Sequence, residues 1–164
     1  MEETIDSVIR SIHNEFATTV VDHRLTFIEL AKISELDSNS IRDMFNSLDD
    51  LYTVLFEEVM FKKIIRDCST IEDLINHFFD FVSTNKSFCL NLYYQTLQTL
   101  RYETVIELMN NLLLRYLNGC TAIVRVNLIT MYIGVLQEWF QEELTSECEG
   151  IRKRVLDYHR KTFE

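Results

Sequence analysis

The sequence predicts an all-α protein of about nine helices, and three observations carry that expectation. Its 164 residues include three glycines and no proline, so the tight turns that hairpins, sandwiches and barrels need in number are not supplied. Hydrophobic residues make up 47% of the chain and aromatics 12%, enough to bury a core of domain size. Apolar residues recur at intervals of three and four, the period of one helix face.

The elements follow in order. Ile5, Ile9, Ile12 and Phe16 predict a first helix over 3–18. After the extended-looking Val20–Leu25, Thr26 is placed as the N-cap of a short helix carrying Phe27, Ile28, Leu30, Ala31 and Ile33. Asp37 can cap a third helix running through Ile41 to Phe45. Ser47 and Asp50 have capping-box spacing and open a fourth, bearing Leu48, Leu51, Tyr52, Leu55 and Val59 and expected to reach Arg66. Ser69 and Glu72 repeat that spacing before a fifth helix with Leu74, Ile75, Phe78, Phe79 and Val82. A sixth is expected over 87–100 and a seventh over 102–118, stopped by Asn118-Gly119. The eighth, over 121–143, carries two apolar stripes: Ala122, Val126, Ile129, Ile133, Leu136 and Phe140, and beside them Leu128, Tyr132, Val135 and Trp139. Two stripes need two partners, one in the chain's own core and one on a second subunit. Ser146 and Glu149 cap a ninth helix with Ile151, Val155, Tyr158 and Phe163.

Several function classes are not signalled. The longest apolar runs fall far short of the roughly 20 residues of a membrane span, and the acidic MEETIDSVIR start differs from a signal peptide. A cytoplasmic location is expected. Cys68, Cys89, Cys120 and Cys148 form no CxxC pair, which leaves neither a zinc site nor a disulfide framework. The sequence has no GxSxG, HExxH or phosphate-cradling glycine loop, so no enzyme, metal or cofactor is expected. His77, beside Phe78, reads as a core histidine; His13, His23 and His159 read as surface or cap residues, and Arg152-Lys153-Arg154 as a solvated face. The net charge is −10, and residues 1–60 hold most of it, with four basic groups against thirteen acids.

The segment LTFIELAKISELDSNSIRDMFNSLDDLYTVLFEE, Leu25 to Glu58, resembles the helix-turn-helix and following helix of TetR-type transcriptional regulators. The match lies in Thr26 opening the second helix, Ile28 and Leu30-Ala31 within it, Leu36 in the turn, Ser40-Ile41 in the recognition helix, Phe45 closing it, Ser47 as the next cap and Leu51 packing back. More weakly, the helix order and MYIGVLQEWF at 131–140 resemble the family's ligand-binding and dimerisation domain. The resemblance implies a head over 1–46 and a helical regulatory domain over 47–164, whose last two helices pair about a two-fold axis in a homodimer. It further implies a double-stranded DNA operator and a small apolar effector.

In that frame Ile28, Ala31, Leu36, Ile41 and Phe45 form the small core of the head. Thr26, Ser38, Asn39, Ser40, Arg42 and Asn46 are candidate DNA contacts, with Asn39 and Arg42 able to reach base edges and Ser38 or Thr26 a phosphate. Phe78, Phe81, Tyr93, Leu97, Met109 and Leu113 are candidate lining for an effector pocket. Val126, Ile129, Ile133, Leu136, Phe140, Ile151 and Val155 are candidate dimer contacts. Three positions differ from the family pattern: Glu35 stands in place of a turn glycine, Arg42 of a phosphate-contacting tyrosine, and Leu48 of a lysine on the DNA backbone. Asp37, Asp43, Asp49 and Asp50 surround the same surface. Two functions are therefore open: a DNA-binding regulator, expected to be an effector-controlled repressor, or a TetR-like protein whose acidic head works through protein contacts.

Overall fold

The computed structural model describes residues 2–99 and 102–163, with the side chains of 4–96 and 103–163. Among these residues the chain is all-helical, with no strand. It forms α1 (Glu2–Thr18), α2 (Phe27–Ile33), α3 (Ser38–Met44), α4 (Leu48–Glu58), a π-helical segment (Val59–Ile64), α5 (Ile71–Thr84), α6 (Lys86–Thr99), α7 (Tyr102–Leu113), α8 (Ala122–Gln141) and α9 (Cys148–Phe163). No helix among them is long and apolar enough to cross a membrane.

The helices gather into two compact units. One holds α1 to α4, most of the π-helical segment and α6; the other holds α5, α7, α8 and α9. The first unit is thus discontinuous in sequence, and the expected boundary at residue 46 falls inside it. The reason lies in α4, whose buried Leu51, Tyr52 and Leu55 belong to the same core as Ile12 and Phe16 of α1 and Phe88 of α6. Phe16 stacks with Tyr52 and packs tilted against Phe88, at centroid distances of 6.5 and 6.3 Å.

Helix starts follow the predicted chemistry where a short polar side chain meets the first turn. The Thr26, Asp37 and Ser47 side chains each accept a backbone N–H of α2, α3 and α4, and Thr121 does so for α8. Two predicted caps are displaced. At α5 the reciprocal pair is Thr70 with Asp73, since Asp73 N–H donates to Thr70 Oγ1 (3.1 Å) and Asp73 Oδ2 accepts from the N–H of Thr70 (3.0 Å) and Ser69 (3.1 Å). At α9 the Ser146 hydroxyl instead turns back to Glu142. The seventh helix stops five residues earlier than expected, at Leu113, and continues as turns.

The fourth helix does not run on to Arg66 as an α-helix. After Leu55 and Val59, α-helical spacing would bring Lys62 or Lys63 and then Arg66 to the inner face. Burying unpaired charges is costly, and the wider π turn moves burial from Val59 and Met60 directly to Ile64 and Ile65. Lys62 is then free to pair with Glu58 at 2.8 Å.

Between α2 and α3 the chain turns on a Schellman motif. Leu36 N–H donates to Ala31 O (2.9 Å) and Glu35 N–H to Lys32 O (3.2 Å), which puts Glu35 in the left-handed region at φ 56°. Glycine takes that conformation without steric penalty; glutamate does not. Leu30 and Ala31 are buried inside this turn, whereas Ile28 is 55% exposed and Leu36 only half-buried. Ile28 is therefore not part of the head core: with α2 starting at Phe27, the inward face runs through 27, 30, 31 and 34.

The second unit centres on Phe79 and Trp139, stacked at 5.4 Å, with Trp139 Nε1 donating to Ser146 O (3.1 Å). Leu128, Ile129, Tyr132, Val135 and Phe140 complete the α8 contribution. Three basic or imidazole side chains depart from the expected surface roles. Arg152 is only 16% exposed and lies over Phe79 at 5.9 Å, because Asp80 and Glu149 meet its guanidinium at 2.6 and 3.1 Å. His159 is buried, with Nδ1 2.7 Å from the Tyr132 hydroxyl. His13 is also partly covered, stacked on Phe88 at 4.3 Å. His77, by contrast, is exposed and not a core residue.

Two predictions follow from these strained and buried groups. Glu35→Gly is expected to stabilise the first unit by about 0.5–1 kcal/mol through relief of the left-handed backbone, read as a rise in thermal midpoint; an unchanged or lower midpoint contradicts this account. Burial, the largest cause, lowers the proton affinity of His159 below the ordinary histidine range. The unfolded chain then binds more protons, so this group's contribution to stability is present above about pH 6.5 and is lost as pH falls below it. His13, lowered by burial and by Lys63, acts in the same sense, so the test is a difference: urea midpoints of His159→Gln should fall less between pH 7.5 and about 5.5 than those of the wild type.

Candidate nucleic-acid interface

The candidate surface is built from α2, the turn over 34–37 and α3, which pack on one another. Ile41 of α3 and Phe45, its C-cap, are buried, which turns Asn39, Arg42 and Asp43 outward, all exposed. Arg42 is the one basic residue in the α3 sequence. Its guanidinium lies 5.6 Å from the centre of the Phe27 ring at the start of α2, a cation–π contact that spans the two short helices.

At the start of α2 the six candidate contacts begin to differ. Thr26 is exposed, but its hydroxyl donates to Glu29 Oε2 (2.9 Å) and accepts the Glu29 N–H (3.3 Å), while Thr26 N–H donates to the same carboxylate at 2.8 Å. The Thr26 backbone N–H, ahead of His23 and the hydroxyl, holds the Glu29 carboxyl down at about 2, so it is ionised at every physiological pH. His23 reaches the other oxygen, Nε2 lying 2.6 Å from Glu29 Oε1 and Nδ1 3.0 Å from Asp22 Oδ1. Its bond to Asp22, then that to Glu29, raises its proton affinity. A phosphate approaching Thr26 meets this carboxylate first.

The start of α3 repeats the pattern. Asp37 Oδ1 accepts the N–H groups of Asn39 and Ser40, each at 3.0 Å, and Oδ2 accepts the Ser40 hydroxyl at 2.6 Å. The Ser40 hydroxyl, then its N–H, keeps Asp37 below the usual carboxylate range. Ser40 is thereby engaged within its own helix; Ser38 is half-buried, Asn39 and Asn46 are exposed. Asn39, Arg42 and Asn46 thus remain as the candidates that are exposed without a side-chain capping duty, and of these Asn39 and Arg42 lie on α3. Leu48, the first residue of α4, is half-buried beside exposed Asp49 and Asp50.

The other expected sites are distributed between the units. Of the pocket residues, Tyr93 belongs to the first unit and Phe78, Phe81, Met109 and Leu113 to the second; the side chain of Leu97 lies outside the described residues. Phe78 meets Phe79 edge-on at 5.7 Å, and Leu113 is buried. Among the dimer candidates, Ile129, Phe140 and Val155 are buried within the second unit, Ile133, Leu136 and Ile151 are half-buried, and Val126 is exposed. The exposed side of α8 adds Ile123, 74% exposed. Val124, Asn127, Leu128 and Met131 of α8 form an open groove of about 150 Å³ with Tyr158 and Thr162 of α9.

Four residues contribute to the head in ways the sequence did not signal. Phe27 supports Arg42, Glu29 completes the capping box at the start of α2, and Asn91 and Gln95, buried on α6, bond the backbone between α1 and α2. The only signal of the last pair is two uncharged amides four residues apart in a helix otherwise rich in apolar side chains. Among the described residues no three His, Cys, Asp or Glu side chains meet as metal ligands. Cys68 Sγ lies 3.3 Å from His77 Nδ1, yet burial, with Asp73 and Asp67, pushes that thiol up, and burial pushes Cys89 to about 12, which suits neither for nucleophilic work.

The sequence matches no model of a known protein family and no characterised protein.

Proposed function

We propose that the chain is a DNA-binding transcriptional regulator of TetR type, acting as a homodimer and controlled by a small apolar effector. The observation that carries the reading is the capped pair α2–α3: a seven-residue helix, a four-residue turn with a left-handed residue, and a second seven-residue helix whose exposed side shows Asn39 and Arg42. A helix-turn-helix lays its second helix in the major groove, where arginine reads guanine and asparagine reads adenine. The α8–α9 surface supports the dimer. It exposes Ile123 and Val126 on α8 and Tyr158 and Phe163 on α9, and the one charge of α8 between 122 and 137, Arg125, turns to Cys120 O (2.6 Å) and Asn110.

A second reading has its own observation. Glu35, Asp37, Asp43, Asp49 and Asp50 are all exposed around α3, a field that repels phosphate and suits a basic protein surface. Mobility shift on the DNA flanking the protein's own gene, at about 50 mM salt where phosphate attraction is strong, separates the two. A shift supports the regulator. No shift, regained with Glu35→Gly and Leu48→Lys, supports a head that has turned to protein partners.

Given binding, Arg42→Ala is expected to keep the fold and weaken the complex. Loss of a base contact costs about 1–3 kcal/mol and relaxes preference at one position, whereas loss of a phosphate contact weakens all sequences alike and lowers the salt slope by about one. Equal affinity of wild type and variant in fluorescence anisotropy would remove α3 from the interface. For the dimer, sedimentation equilibrium at micromolar concentration should return twice the chain mass, and Val126→Glu should raise the dissociation constant by at least about tenfold, the effect of some 1.4 kcal/mol from a charge buried in an apolar contact. A wild-type monomer under these conditions sinks the dimer.

A further inference from the structure

The first unit is closed by a ladder of side-chain hydrogen bonds from α6 to the segment that joins α1 to α2. Ser87, Asn91 and Gln95 recur every fourth residue on α6 and so share one face. Ser87 Oγ donates to Phe16 O at 3.1 Å. Asn91, 4% exposed, donates to Phe16 O (2.8 Å) and Thr19 O (2.6 Å) and accepts Val21 N–H (3.0 Å). Gln95, 1% exposed, donates to His23 O (2.8 Å), and its Oε1 accepts Leu25 N–H (3.0 Å) and the Tyr52 hydroxyl (3.1 Å). Residues 19–25 have no helical partners of their own over most of their length, so these amides replace them.

We propose that Asn91 and Gln95 are positioning residues for the α2–α3 pair, and that α6 sets where the head surface lies. Leu25 and His23 immediately precede the Thr26 cap, so fixing their N–H and C=O fixes the first turn of α2, and α3 follows because the two helices pack together. Hydrogen bonds, unlike apolar contacts, specify register: rotating α6 by one residue, about 100°, breaks the whole ladder at once. The chain enters α6 from α5 and leaves it toward α7, both elements of the second unit. Any displacement of α6 along its axis is therefore handed to α2 by the same bonds. For its consequence in DNA binding the inference rests on the regulator reading; the positioning itself does not.

Amide hydrogen exchange on the intact protein tests it, with protection of residues 27–44 expressed relative to residues 5–16 of α1 in the same molecule. In Gln95→Met that ratio is expected to fall about tenfold, the local cost of leaving paired backbone groups without partners. In Tyr52→Phe, which removes a bond to the same Oε1 without touching the segment, it should not move. Should Gln95→Met fail to fold, Gln95→Asn, which stays uncharged but draws the amide one methylene back from His23 O and Leu25 N–H, is read by the same ratio with a smaller fall. An unchanged ratio in the Gln95 variant, or an equal change in Tyr52→Phe, overturns the proposal. On an operator, Gln95→Met should weaken binding with the salt slope unchanged, because no phosphate contact is lost, whereas a wild type that binds no DNA removes the regulator reading and leaves the exchange ratio to decide positioning.

Discussion

Buried backbone groups outside regular structure must find partners, and in this chain that constraint is met across some seventy residues of sequence. The segment between α1 and α2 buries Val21 and Leu25 but has no ladder of its own to satisfy its N–H and C=O groups. Each such group left unpaired costs about 1–3 kcal/mol. Asn91 and Gln95 meet that demand, and in doing so they tie α6 into a unit whose other helices all lie within the first 64 residues. The discontinuity of the first unit follows from this, as does the fixed start of α2. An apolar pair at the same positions would bury more hydrocarbon, yet it would leave the segment's polar groups orphaned and the register of α6 unspecified.

What the sequence disclosed and what it hid divide along the range of the interactions. Local chemistry was readable: Thr26, Asp37 and Ser47 each cap the helix they precede, and Glu35 takes the left-handed position at which glycine is easiest. Caps one residue away were harder, since Ser69 with Glu72 and Thr70 with Asp73 have the same spacing and only the fold decides that the second pair bonds reciprocally. The π turn could have been found from Val59-Met60 and Ile64-Ile65 flanking two lysines, since at about 100° per residue these four side chains spread too widely for one α-helical face. Nothing in the sequence tells that His159 is buried against Tyr132, because a histidine in a helix with Arg160 and Lys161 beside it has every local reason to be wet. Long-range amide bonds leave almost no trace in composition.

The two stripes of α8 show the same limit. Periodicity identified both, but could not divide them between an internal and an external partner. The structure gives Leu128, Tyr132, Val135 and Trp139 to the core and draws Ile129 and Phe140 in from the other stripe, because the aromatic cluster around Phe79 and Trp139 is wide enough to need residues from both. What remains outside is narrower than the full stripe: Ile123 and Val126, with Ile133 and Leu136 half-covered. A contact built on so few side chains needs the adjoining α9 residues Tyr158 and Phe163 to approach the roughly 1,200 Å² or more of total area that stable pairs bury.

The electrostatics of the head set how it could hold DNA. In many nucleic-acid-binding folds the N–H groups of a helix start are available to a phosphate. Here Glu29 and Asp37 occupy both starts, and their ionised state persists well below neutral pH. Each head then offers Arg42 as the basic group of α3 against several exposed carboxylates, so counterion release, which supplies most non-specific affinity, is small. A single head of this kind would bind non-specific DNA poorly. Two heads on a two-fold axis change the balance, because the second engages at an effective concentration set by the dimer rather than by the solution. Under the proposed regulator reading, dimerisation and base reading by Asn39 and Arg42 are therefore coupled requirements. If the regulator reading holds, specificity in this protein arises with little help from the phosphate backbone, and the rigidity of α2–α3 conferred by α6 matters more than in a head that can hold DNA by charge alone.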